Sequence, residues 1–301
     1  MSRLLAKEHI DSQYVFNMIQ CYSDRYLIID VRDQSDFNSM HLARSINIPY
    51  RSRFSDSPNI NELKANVIGD ASLFDRRRRF MIFIVYSPPS IVFSREVDYI
   101  LKKDKCREVY ILNEPFSSFA EKFPFMCEAV NIPSVMPRHG YPSEIISNKL
   151  YLGDFHHAEE PLVLQNLKIT HILNATNGFD YKFESRGVVY LRLGVEDLET
   201  ENISRHFQMA FEFIDHVMSS DKFRVLVHCA QGVSRSATFV IMYIMKSMGV
   251  SYEEAFSFVK RHREIIKPNE GFACQLRSFA DVTEEAGCMI VKNCQKDVTI
   301  D

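Results

Sequence analysis

Paired cysteines are missing from this chain. Its seven cysteines are odd in number and scattered, with no Cys-x-x-Cys pair and no histidines at metal spacing. Neither a disulfide framework nor a zinc site is expected. Reduced thiols fit the cytoplasm or the nucleus, or both. No apolar run approaches the ~20 residues that cross a bilayer. The N-terminal MSRLLAKEHIDSQ also lacks the apolar core of a secretory signal. A soluble intracellular protein is therefore expected, with no membrane partner. A strong excess of charge of one sign is absent as well, with 36 Lys and Arg against 39 Asp and Glu. A net charge of −3 offers no broadly basic surface, so no nucleic-acid partner is expected. Internal repeats and low-complexity tracts do not occur.

What remains is ordinary globular text. At 301 residues, 46% apolar and 25% charged, the chain holds material for two cores. The clearest seam is NIPSVMPRHGYPSEI (131–145), where prolines and a glycine cluster between two patterned regions. The expected division is one domain over 1–132, a linker over 133–141, a second domain over 142–290 and a tail over 291–301. In the first half a helix is expected near 10–20. Short continuous apolar strands follow at 26–31, 80–86 and 108–112, alternating with helical text. That pattern implies an α/β domain with a parallel sheet covered on both faces.

The chemistry gathers in the second half. RVLVHCAQGVSRSATFVIMYIMKS carries a β-branched strand, then His228-Cys229-Ala230-Gln231-Gly232-Val233-Ser234-Arg235-Ser236, then an apolar helix expected over 237–248. Loop N–H groups and a helix N-terminus converging on one point make an anion cradle with a nucleophile at its floor. Ala230, Gln231, Gly232, Val233 and Ser234 would supply the amides around a phosphate. Arg235 would supply a planar fork for two of its oxygens. At such a positive focus Cys229 should ionise in the range of roughly 3.5–7.5 rather than as a free thiol. Ser236 is placed to cap the following helix. No metal or cofactor is required, because Arg235 and the amides provide the positive charge. A departing alkoxide needs a proton donor, and the segment VEDLETENI offers Glu196, Asp197, Glu199 and Glu201.

The spacing Cys-x5-Arg, with His228 before and Ser236 after, resembles the signature of the protein tyrosine phosphatase superfamily. VHCAQGVSRSA is most similar to its dual-specificity branch. The likeness extends through YPSEIISNKLYLGDF and THILN to KPNEGF, over about residues 142–285. It implies a cysteinyl-phosphate mechanism acting on phosphotyrosine and on phosphoserine or phosphothreonine, with Cys229 as nucleophile and Asp197 as general acid. It further implies that Ser236 eases release of the thiolate, that His228 orients the loop, and that Asn269 supports it. No aromatic loop deepens the pocket near Ile145–Tyr151, and the cradle side chains are neutral, against a phosphoinositide substrate.

In the first half, IIDVRDQSDFNSMHLARSINIPY resembles a rhodanese-like domain over roughly residues 10–130. Ser87-Pro88-Pro89-Ser90 stands where an active member carries its cysteine, so this domain is expected to be catalytically inactive. The pairing resembles MAP kinase phosphatases, whose rhodanese-like domain uses basic residues to bind an acidic kinase groove. That implies a phosphoprotein substrate, a MAP kinase partner, and docking through Arg51, Arg53, Arg76, Arg77, Arg78 and Arg79. The same layout is similar to the serine/threonine/tyrosine-interacting-like pseudophosphatase. The alternative reading is thus a non-catalytic phosphoprotein-binding scaffold, although that relative lacks the nucleophile present here as Cys229.

Overall fold

The structure, a computed structural model of the chain, describes residues 9–22, 25–50, 54–55, 57–86, 90–106, 108–178, 183 and 187–279. Two compact units meet between Arg138 and His139. The division falls inside the expected linker, but residues 139–141 are not linker. His139 stacks on His156 with ring centroids 3.9 Å apart. Tyr141 is buried, and its hydroxyl accepts a 2.6 Å hydrogen bond from Asn166 Nδ2. Both side chains thereby belong to the second unit. Residues 280–301, which include the expected tail, lie outside the described residues.

In the first unit five parallel strands form one sheet. Their order across it is His9–Ile10, Val109–Leu112, Met81–Val85, Tyr26–Asp30, Ile46–Asn47. Tyr26–Asp30 and Met81–Val85 are buried at every position, as central strands covered on both faces must be. Helices Ala71–Arg77 and Ile91–Lys103 are among those packed against them.

The Asp-Val-Arg run is a lock at the end of a central strand. The Asp30 carboxylate accepts from the Arg32 backbone N–H at 2.9 Å and from Arg32 Nη2 at 2.7 Å. Arg32 lies 3.8 Å over the Phe116 ring, and Asn47 Nδ2 donates to the Asp30 and Arg32 carbonyls. Burial raises the Asp30 carboxyl above its ordinary value despite Arg32. The motif binds three elements of the unit together.

In the second unit Val189–Arg192, His171–Asn174, Val225–Cys229 and Leu150–Asp154 run parallel, and Ser143–Ile146 adds an antiparallel edge. The central strand Val225–Cys229 is buried throughout and ends at the cysteine. Ligands of parallel sheets bind beyond the carboxyl ends of strands, and the cradle lies there. Helix Arg235–Met248 follows, with Ser236 to Met245 all buried, and Gly249 ends it in the left-handed conformation (φ 63°). Starting at Arg235 rather than 237, this helix takes Ser236 into its first turn and leaves Ser234 as the N-cap residue. Ser236 is therefore not a cap, and its hydroxyl turns to the cysteine instead. Helices Phe207–Met218 and Tyr252–His262, with helical residues 270–279, complete the core.

Candidate active site

Cys229 is 1% exposed at the floor of the loop. Its Sγ accepts from the Gly232 N–H at 3.2 Å and from Ser236 Oγ at 3.2 Å. Backbone N–H groups of Gln231, Val233 and Ser236 also face the sulfur. Burial is the largest single influence and would raise the thiol. The Ser236 hydroxyl and the amides together outweigh it, and the thiol lies below its ordinary value.

Gly232 has φ +67°, and a Cβ there would lie 2.5 Å from the Gly153 carbonyl oxygen. Only glycine passes between strand and loop at that point. Ala230 and Val233 are half-buried, whereas Gln231 is exposed at the rim.

Arg235 and Asp197 meet above the cradle. Arg235 Nη1 donates to the Val195 carbonyl at 3.0 Å, while its Nε stands 3.7 Å from Asp197 Oδ2. That Nε is buried and makes no hydrogen bond among the described residues. Asp197 Oδ1 accepts from Ser234 Oγ at 2.7 Å and from Asn269 Nδ2 at 3.0 Å. Asn269 is fixed in turn, its Oδ1 accepting from the Phe272 N–H at 3.0 Å and its N–H donating to Ser234 Oγ at 3.3 Å.

The neighbouring acids point elsewhere. Glu196 accepts from the Asn177 amide, Glu201 pairs with Arg205 at 3.0 Å, and Glu199 is exposed. Of the four candidates, Asp197 is the one hydrogen-bonded to the cradle.

His228 is 2% exposed, and burial pushes its imidazole down to about 4. It is neutral at ordinary pH, with Nδ1 3.4 Å from the Cys229 carbonyl. A neutral buried ring under the loop suits a packing role better than acid catalysis.

Several residues at the site escape sequence reasoning. Arg263 is 5% exposed, its Nε donating to the Gly232 carbonyl at 2.9 Å and its Nη1 to Ser143 Oγ at 3.2 Å. The Lys267 N–H donates to the Val233 carbonyl at 2.9 Å. Asp154 pairs in register with Cys229 and caps the helix Phe155–Glu159. Burial would raise its carboxyl, but the adjacent His157 ring outweighs that and holds it at about 2. Within KRHREII nothing in the spacing says which cation turns inward.

The arginines of the first unit are far less uniform than their run suggests. Arg78 is held by Asp75 and Asp104, and Arg76 pairs with Asp70 at 3.3 Å yet keeps a side chain 62% exposed. Arg77 lies 6.0 Å from the Tyr26 ring. Arg79 is exposed and lines a surface cavity of about 640 Å³ with Arg25, Phe80 and Lys105. Arg51 and Arg53 lie outside the described residues, as do residues 87–89 of the loop expected to be inactive.

The family model for the dual specificity phosphatase catalytic domain matches residues 150–282, and that for the rhodanese-like domain matches residues 13–122. A Dictyostelium discoideum protein named "Probable rhodanese domain-containing dual specificity protein phosphatase" is 30% identical, across 90% of this chain and 68% of its own length. Dual specificity protein phosphatase 1 of Mus musculus is 27% identical, across 84% of this chain and 77% of its own length. Among solved structures, the human tyrosine phosphatase-like serine/threonine/tyrosine-interacting protein is 37% identical, covering 48% of this chain and 97% of its own, with a TM-score of 0.44. The chain belongs to the rhodanese domain-containing dual specificity protein phosphatases.

Proposed function

We propose that this dual specificity protein phosphatase works through a two-step displacement at Cys229. The thiolate forms the S–P bond as the P–O bond to the serine, threonine or tyrosine oxygen breaks, and Asp197 gives that oxygen its proton. Arg235 and the loop amides hold the three remaining phosphate oxygens, supplying position and charge. Water then attacks phosphorus, Asp197 takes its proton, the S–P bond breaks and inorganic phosphate leaves. Ser236 Oγ donates to the sulfur as its negative charge returns. One observation carries this reading. A buried thiol that ought to be hard to ionise is instead held low by the hydroxyl and amides gathered on it.

We further propose that the rhodanese-like unit brings in the phosphoprotein, and that a MAP kinase with an acidic groove is one such partner. The exposed Arg76 and Arg79, beside the 42% exposed Phe80, support a basic and apolar contact of that kind. A reducing compartment keeps a thiolate nucleophile from oxidation, which supports the cytoplasm or the nucleus as its site of action.

Turnover of a small aryl phosphate and of singly phosphorylated peptides, with Cys229→Ser as control, tests the reaction. Hydrolysis of all three phosphoresidues by wild type and none by the variant is expected. Peptide binding without release of phosphate by wild type would point to the scaffold instead.

A further inference from the structure

Arg263 takes no part in the two-step scheme, yet it is more deeply buried than any other cation at the site. A guanidinium is not buried cheaply, and this one is spent on a backbone carbonyl and a hydroxyl. Its charge also reaches the Asp154 carboxylate and helps to hold that acid low. The carbonyl is the telling partner.

In a planar trans peptide the C=O of one residue and the N–H of the next point in opposite directions. The Gly232 carbonyl and the Val233 N–H share such a plane. With the carbonyl drawn outward onto Arg263 Nε at 2.9 Å, the Val233 N–H is left facing the Cys229 sulfur. The next peptide is treated alike, because the Val233 carbonyl is drawn outward by the Lys267 N–H at 2.9 Å. Glycine at φ +67° has the freedom to rotate this peptide, so its orientation must be imposed from outside. Turned the other way, the Gly232 carbonyl oxygen would enter the cradle and repel both thiolate and phosphate.

We infer that Arg263 is a positioning residue for phosphoryl transfer, its guanidinium fixing the Gly232–Val233 peptide so that the Val233 N–H serves the cradle. Ser143 Oγ holds the other end of the fork at 3.2 Å and ties it to the edge strand. The inference rests on the cradle being the phosphate site. It assigns to Arg263 a task that a merely space-filling side chain would not have.

The full-length Arg263→Gln variant tests it through two readouts that need no turnover. One is tungstate binding by calorimetry. The other is the pH midpoint for alkylation of Cys229 by iodoacetamide, with Cys229→Ser subtracting the other thiols. Tungstate should bind about tenfold more weakly, and the alkylation midpoint should rise by about one pH unit. Arg263→Lys, which keeps one donor toward the Gly232 carbonyl, should fall between the two. A folded Arg263→Gln protein with wild-type values in both readouts overturns the assignment. Should that variant fail to fold, Ser143→Ala loosens the same guanidinium. There a shift of about threefold in tungstate affinity is expected, and an unchanged value overturns the assignment equally. A wild-type protein that binds tungstate but hydrolyses nothing would count against the phosphatase mechanism while leaving the role of Arg263 intact.

Discussion

Removing the Ser234 hydroxyl separates what the acid loop contributes from what the cradle contributes. Ser234 Oγ donates to Asp197 Oδ1 at 2.7 Å and accepts from the Asn269 N–H at 3.3 Å. It thus holds the proton donor over the cradle, and Asn269 Nδ2 remains as a second tether at 3.0 Å. Asp197 is a neutral acid when it donates, and an ordinary hydrogen bond of that kind contributes about 0.5–1.5 kcal/mol. The Asp197 side chain is 39% exposed, so water replaces part of that and about 1 kcal/mol is the fair figure. In Ser234→Ala, kcat on a phosphothreonine peptide should therefore fall about fivefold. An activated aryl phosphate, whose leaving group departs without a proton, should lose less than twofold, because the acid is idle there. Asp197→Asn sets the scale, with a loss of ~10²–10⁴ on phosphothreonine. Equal losses on both substrates would mean that the cradle itself had been damaged. No loss on phosphothreonine would mean that Ser234 does not position Asp197. Either result refutes the reasoning.

The thiol and the docking surface give further expectations. Ser236→Ala removes a 3.2 Å donor to Cys229 Sγ, one of the groups that hold the thiol below its ordinary value. Its pKa should rise. Because the thiolate is lost as pH falls through that pKa, the acid-side limb of kcat/KM should move to higher pH, which a pH series of initial rates measures. Arg76→Glu with Arg79→Glu should weaken dephosphorylation of a MAP kinase at least fivefold while leaving small aryl phosphate hydrolysis within twofold. Pull-down of the kinase by Cys229→Ser protein checks the same contact.

The cradle was legible because its chemistry forces fixed residue types onto one contiguous loop. Cys229, Gly232 and Arg235 each answer a local demand for a nucleophile, a left-handed turn or a phosphate fork. The proton donor was harder to read, since four acids share one loop and spacing alone does not choose among them. The choice is tertiary: Asn177 and Arg205 occupy Glu196 and Glu201, while Ser234 and Asn269 draw in Asp197.

Arg263 was invisible for the same reason. A cation in a polar run is normally solvated, and its burial depends on a carbonyl distant in sequence. Ser236 was half legible. Its place after Arg235 flagged it, but the helix begins earlier than propensity suggests and so turns a cap candidate into a partner for the sulfur. The parallel sheet of the first half could be read from its buried apolar runs. The charged run 76–79 could not be sorted in the same way, because which arginines stay exposed depends on Asp70, Asp75 and Asp104.

The most direct measurement is rapid-quench mass spectrometry of the wild-type protein mixed with a phosphotyrosine peptide. A phosphoryl group carried on Cys229, formed and lost at rates consistent with turnover and trapped longer in Asp197→Asn, is the expected result. Phosphate released without any Cys229 adduct, or a peptide bound for the whole time course with neither adduct nor phosphate, would contradict the account.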